Sequence, residues 1–281
     1  MGKIDYITLK NSKPKGNKVI DCFTFYNELD MLEFRLMELN DVVDIFVIVE
    51  ATTTHSGLPK ELNFHKNKHR FLNWLPKIHY YVVDNLPKGN SSSHDWFREE
   101  YQRDAIKFAL TQISPNPNDT ILISDLDEIP NTQIINYFIN NPTFNGCLGL
   151  SMDWYYYNLN TKLNIPPSRN AKILRYQKML TTGLSPSQIR LEDWMYLENG
   201  GWHFSFFMSV DKIIEKLKSY AHQEYNTKEI INPERLRKLI KEGKDIFPGR
   251  VENNSFYQLP IKDNPHLPKN YKFWLENSRT L

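Results

Sequence analysis

The chain has 281 residues, 40% of them hydrophobic and 24% charged, which suits one large α/β domain or two smaller ones of ordinary soluble composition. Its 35 basic residues nearly cancel its 33 acidic ones, so no overall field recruits nucleic acid and any anion site must be local. Only Cys22 and Cys147 are present, too few for a disulfide scaffold, and each sits in an apolar run, so both are expected as buried free thiols.

Residues 1–17 are polar and lysine-rich, without an apolar core of signal-peptide length. No later run approaches the roughly 18 apolar residues of a membrane span. A loose leader and a soluble, cytoplasmic protein with no membrane span are therefore expected. Val19–Phe25 reads as a strand, and residues 27–40 follow with Leu29, Leu32, Leu36 and Leu39 at helical spacing. Apolar strands recur at 42–49, closed by Glu50, and at Ile78–Val83, closed by Asp84. Residues 95–113 read as one long amphipathic helix and 120–124 as a fourth strand. Four strand–helix alternations predict a mostly parallel sheet with helices on both faces. The second half is less regular, with strands expected at 147–158, 171–177, 189–197 and 202–207 and helices at 211–220 and 233–241. No repeat or linker divides the chain, so one domain over 1–281 is expected, with halves at 19–130 and 131–281.

The fourth strand runs straight into Asp125, Asp127 and Glu128, and Pro130 is placed to open the next helix. These carboxylates would lie at the carboxyl end of a core strand, where open α/β sheets bind ligands. Each pair at about 4 Å repels by roughly 4 kcal/mol at an effective dielectric near 20. A cation is therefore expected among them, most naturally a hard divalent metal. If the sheet is parallel, Phe25, Tyr26, Asn27 and Glu28, then Glu50, then Asp84 end on the same edge. An aromatic ring with flanking acceptors there suits a nucleobase and ribose, although such residues also serve as ordinary turns and caps. Arg103 lies one turn from Glu99 and Glu100; it either reaches a diphosphate or completes a solvated ion-pair face. Lys60, after Ser56-Gly57-Leu58-Pro59, is a second phosphate candidate. His203, bracketed by Gly200-Gly201-Trp202 and Phe204, is either a packed core histidine or a metal ligand. His222 beside Glu224 is a further ligand candidate, whereas His65 and His69 alternate with Lys66, Lys68 and Arg70 and read as a solvated basic face.

Four blocks give the chain a wider resemblance. They are Phe25-Tyr26-Asn27-Glu28-Leu29-Asp30-Met31-Leu32-Glu33-Phe34-Arg35-Leu36, and Phe46-Val47-Ile48-Val49-Glu50-Ala51-Thr52 with Ser56-Gly57-Leu58-Pro59-Lys60. The others are Ile123-Ser124-Asp125-Leu126-Asp127-Glu128-Ile129-Pro130 and Gly201-Trp202-His203-Phe204-Ser205. Together they resemble glycosyltransferase family 17, the family of the β-1,4-mannosyl-glycoprotein β-1,4-N-acetylglucosaminyltransferases. A bare Asp-x-Asp is common by chance, but Asp-x-Asp-Glu-Ile-Pro followed by Gly-Trp-His-Phe-Ser is specific.

The resemblance implies a fold similar to the GT-A type, with a nucleotide-sugar-binding half before an acceptor-side half. It implies Mn²⁺-dependent (or Mg²⁺-dependent) inverting transfer from a UDP-sugar to an oligosaccharide or glycoprotein acceptor. UDP-N-acetylglucosamine is the default donor, with UDP-xylose and UDP-glucose also open. Asp125 and Asp127 match the metal-binding acidic motif, and His203 matches the block that would complete the metal site. Inversion also needs a carboxylate beside the acceptor hydroxyl, for which Asp153, Glu192 and Asp193 are the candidates. Trp154, Tyr155, Tyr156 and Trp194 would serve as sugar-ring floors or as packing. Animal members carry a membrane anchor that is not evident here, so the acceptor need not be a secretory-pathway N-glycan. Residues 185–199 match no block. Two alternatives remain open: a sugar nucleotidyltransferase, which usually has a glycine-rich basic loop where Phe25-Tyr26-Asn27-Glu28 stand, and a catalytically silent carbohydrate-binding protein.

Overall fold

A computed structural model describes residues 16–89, 92–250 and 256–277; most of the expected leader lies outside them. The first half alternates as expected. Strand β1 (Val19–Phe25) leads to α1 (Leu29–Leu39), β2 (Ile45–Ala51), the short α2 (Asn63–Asn67) and β3 (Ile78–Val83). Helices α3 (Ser92–Asp104) and α4 (Ile106–Ile113) then feed β4 (Thr120–Ile123). The helix expected over 95–113 is thus divided at Ala105, although the Ala105 N–H still reaches the Tyr101 carbonyl at 3.1 Å. Next come β5 (Glu128–Pro130), α5 (Thr132–Ile139), β6 (Cys147–Tyr156), β7 (Thr161–Leu163), β8 (Lys172–Arg175), α6 (Tyr176–Thr182) and α7 (Pro186–Leu191). The chain closes with β9 (Tyr196–Ser205), α8 (Val210–Ser219), α9 (Pro233–Glu242), β10 (Phe256–Gln258) and α10 (Lys272–Asn277).

Ten strands form one sheet in the order β10-β7-β6-β8-β4-β1-β2-β3, with β9 beside β6 and β5 beside β9. The β4-β1-β2-β3 portion is parallel throughout. Strand β8 joins it antiparallel to both β4 and β6, so the antiparallel character enters only in the second half. The continuous apolar runs of β1, β2 and β4 follow from this position, because both sheet faces are covered. One face packs on α1, α5 and α10; the other packs on α4 and on Ile189 of α7. Cys22 and Cys147 are buried and free, as expected.

Further boundaries differ from the sequence reading. Pro130 ends β5 instead of opening a helix; Asn131 caps α5, its side chain accepting from the Gln133 N–H at 3.0 Å. A residue without an N–H fits the last position of a short strand. The strand expected at 189–197 is displaced by α7, whose Ser185 and Gln188 form a reciprocal capping box, so β9 starts only at Tyr196. The strand expected at 171–177 stops at Arg175, where α6 begins.

The paired glycines Gly200 and Gly201 allow a close approach of backbones. A Cβ on Gly200 would stand 2.7 Å from the Leu150 Cα, and Gly201, at φ +151°, faces the Ile129 carbonyl. Only glycine lets β9 thread between β5 and β6 there. That threading sets His203 opposite Glu128 on one side and Trp154 on the other.

Candidate active site

A cavity of about 310 Å³ opens at the carboxyl ends of β1, β2 and β4, walled on its far side by β6, β9 and α8. This is where a parallel α/β sheet places ligands. Its floor is the loop 124–127, and the conformation of that loop is imposed from below by Arg35 of α1.

Arg35 is fully buried. Its guanidinium donates to both Asp21 carboxylate oxygens (2.8 and 2.6 Å) and to Ser124 Oγ (2.7 Å). It also donates to the carbonyls of Asp125 (2.9 Å), Leu126 (3.1 Å) and Glu128 (2.8 Å). Buried charge is tolerated only when paired and hydrogen-bonded, and here both partners are. The Phe204 N–H bonds the Asp127 carbonyl at 2.8 Å and ties the same loop to β9.

Above this base the acidic residues meet cations of the protein itself. Asp125 Oδ1 accepts from Arg103 at 3.0 Å and Oδ2 from Arg190 at 2.5 Å. Glu128, fully buried, accepts twice from Arg190 and once from the Asp125 N–H. Burial alone would raise the Asp125 pKa, but Arg190 and Arg103 outweigh it and hold the carboxyl well below its ordinary range. Arg103 keeps its second ion pair with Glu99 at 2.9 Å. Arg103 is thus ion-paired and lines the cavity, but it is buried, so the solvated face expected for it is not what forms.

Asp127 stands apart from the arginines. Its Oδ1 lies 3.6 Å from His203 Nε2 and its Oδ2 lies 3.7 Å from Lys216 Nζ of α8. Burial raises the Asp127 pKa, and Lys216 with His203 brings it below normal. Burial likewise works against His203, but Asp127 raises its pKa above the usual imidazole value. The His203 ring stacks on Trp154, centroids 4.6 Å apart, and Nε2 lies 3.3 Å from Ser205 Oγ. Nδ1 of His203 is buried without a partner. Among the described residues, no three His, Cys, Asp or Glu side chains gather closely enough to hold a metal. The cations expected among the carboxylates are here Arg103, Arg190 and Lys216.

The remaining residues singled out from sequence divide clearly. Phe25, Tyr26 and Lys60 line the cavity with Asp125, Asp127, Arg103 and His203; Asn27 does not. Lys60 is held by Glu50 at 2.7 Å, beneath the Tyr26 ring. Glu50 itself is closed off as a ligand group. It is fully buried and accepts from Lys60, from the Asn63 and Phe64 N–H groups at the start of α2, and from Tyr80 Oη. Asp84 follows the edge strand β3 and borders a separate groove with Tyr101 and Phe108. The three carboxylates expected at the acceptor are also elsewhere. Asp153 pairs with Lys162 at 2.7 Å; its neighbours Trp154 and Tyr156 face the cavity, and strand alternation turns Asp153 aside. Glu192 and Asp193 are exposed beyond α7. His222 does line the cavity, paired to Glu224 at 2.7 Å, while His65 and His69 are exposed.

Sequence reasoning missed Arg190 and Lys216. The capping box Ser185-Pro186-Ser187-Gln188 was a legible helix start that would have placed Arg190 on a helix. Lys216 falls within the stripe Ile213, Leu217, Tyr220 at helical spacing, the signature of an inward-facing position.

The chain is thus an α/β protein with acidic and cationic side chains gathered at a strand-end cavity. The family model for glycosyltransferase family 17 matches residues 7–273, so the chain belongs to that family. A β-1,4-mannosyl-glycoprotein 4-β-N-acetylglucosaminyltransferase of Rattus norvegicus is 32% identical over 121 residues, 40% of this chain and 22% of that protein. The proteins of the same name from Homo sapiens and Mus musculus are 32% and 31% identical over the same length and shares. The matched part therefore spans about a fifth of these relatives. Family membership supports a glycosyltransferase over the nucleotidyltransferase alternative. No helix among the described residues is long and apolar enough to cross a membrane.

Proposed function

We propose that the cavity is the donor site of a GT-A-type, metal-dependent, inverting glycosyltransferase. The donor is a UDP-sugar, by default UDP-N-acetylglucosamine with UDP-xylose and UDP-glucose as the other candidates. The acceptor is a glycan hydroxyl on an oligosaccharide or glycoprotein, and a mannose-containing glycan is the class suggested by the relatives' names. The observation that carries the reading is the convergence of Asp125, Asp127, His203, Arg103 and Lys216 on one strand-end cavity in a family 17 chain, with Arg190 paired to Asp125 outside the lining.

Phe25 and Tyr26, at the end of β1, supply flat surface for the uracil ring. Arg103, already charged and pre-positioned by Glu99 and Asp125, presents its remaining N–H groups to diphosphate oxygens. Asp125, with both oxygens accepting from guanidinium groups, holds the two arginines in place. The carboxylate of Asp127 and the imidazole of His203, 3.6 Å apart, are the residues that would hold Mn²⁺ or Mg²⁺. When bound, such an ion acts as a Lewis acid on the departing diphosphate. The protein's fixed cations then stabilise the same leaving-group charge without reorganising at the moment of reaction.

Release of UDP from a panel of UDP-sugars with Mn²⁺ tests the reading. Asp127→Asn should keep its fold and lose at least about 100-fold in turnover, the scale of deleting one pre-organised electrostatic group. Turnover near wild type would remove Asp127 from the mechanism, and absence of UDP release from every donor and acceptor would overturn the proposal.

A further inference from the structure

Lys216 approaches the acidic loop from α8 and is shared between two carboxylates, 3.3 Å from Glu28 Oε1 and 3.7 Å from Asp127 Oδ2. Its neighbours bind differently. Arg190 makes three short contacts to Asp125 and Glu128, and Arg103 donates to two carboxylates at 3.0 Å or less. Both guanidiniums are fixed by geometry. The ammonium sits at looser ion-pair distances, on a flexible four-carbon stem, and its side chain is 22% exposed. The other oxygen of the same Asp127 carboxylate faces His203. A cation serving Asp127 therefore meets Lys216 already in attendance, and a dication bound there would be repelled by the ammonium at close range.

We propose that Lys216 is a tethered counter-ion to Asp127, held between Glu28 and Asp127 and withdrawing from the Asp127 carboxylate when the dication binds there. The inference rests on the Asp127–His203 metal reading above. The ammonium already neutralises Glu28 and Asp127 before any metal arrives. Ion binding is then an exchange of one cation for another, and the intrinsic affinity of the free protein for metal is held down.

The test is Mn²⁺ titration of the free protein without nucleotide, following the loss of the free-ion EPR signal. Lys216→Met should bind Mn²⁺ at least about tenfold more tightly than wild type, because a nearby like charge is gone. Lys216→Arg, which keeps the charge, should stay near wild type. Lys212→Met on the same helix, whose ammonium lies 3.9 Å from Asp30, controls for general charge and should also stay near wild type. Circular dichroism checks the fold of each variant, and Lys216→Gln replaces the methionine variant if that one does not fold. Equal or weaker binding by the charge-removed variant overturns the inference. Asp127→Asn separates the two claims. If it binds Mn²⁺ like wild type, the metal reading itself fails; if it loses Mn²⁺ while Lys216→Met matches wild type, only the counter-ion role falls.

Discussion

Arg35→Met is the most direct perturbation of the architecture beneath the site. The substitution keeps much of the aliphatic volume but deletes six hydrogen bonds and the cation paired with Asp21, a pair with no solvent exposure on either side chain. Removing one partner of a buried ion pair costs about 3–5 kcal/mol, because the other charge is left uncompensated. Three loop carbonyls and Ser124 lose their donor as well, so the upper end of that range is expected. Against a total stability of about 5–15 kcal/mol the variant should remain folded but with a much lower urea midpoint. Asp21→Asn combined with Arg35→Met should recover part of the loss, since a neutral amide replaces the stranded carboxylate. Urea unfolding followed by tryptophan fluorescence, run beside UDP binding, gives both readouts. Binding should weaken more in the double variant than its stability suggests, because the loop 124–127 has lost its template even when the charge is balanced. A stability loss under about 1 kcal/mol for the single variant would refute the account of Arg35 as the anchor.

Arg190→Gln leaves Asp125 and Glu128 with one fewer cation; it should lower the melting temperature and cut turnover at least about tenfold, and an unchanged melting curve would show that the pair contributes nothing. The thiols give a pH prediction. Burial raises Cys22 well above the ordinary thiol value and pushes Cys147 up to about 12, so neither should react with a disulfide reagent at pH 8 until the protein is unfolded. Because the folded pKa exceeds the unfolded one, the stabilisation is complete below the unfolded thiol pKa and is lost as pH rises towards 12. Replacing both thiols by alanine should therefore flatten the alkaline side of the stability profile, and an unchanged slope between pH 8 and pH 11 would contradict it.

The parallel half was legible because its strands are buried on both faces, and a run such as Val19–Phe25 then has no competing periodicity. The second half was not, because the strand boundaries at 171–177 and 189–197 are set by capping and by pairing with distant strands, which local apolar content does not encode. The same division runs through the site. Asp125 and Asp127 follow a strand the sequence placed, Arg103 and His203 fall inside an expected helix and strand, and the structure brings all four to one cavity. Asp153 does not line the cavity for want of a register: one residue along the strand, Trp154 faces it and Asp153 does not.

Charge balance explains the residues missed. Three carboxylates within four positions do require cations nearby, and that inference was sound. The sequence step that followed, from cation to metal alone, ignored cations brought by elements far along the chain. Arg190 is 65 residues from Asp125, and α8 delivers Lys216 only because the Ile213–Leu217 stripe buries that face. A helix that buries its apolar stripe against the end of β6 carries any lysine in the stripe into the cavity whether or not a ligand is there. The protein therefore meets the electrostatic demand of its acidic loop before any ligand arrives. A ligand's charge then meets a loop already balanced by Arg103, Arg190 and Lys216, and not a vacant negative pocket.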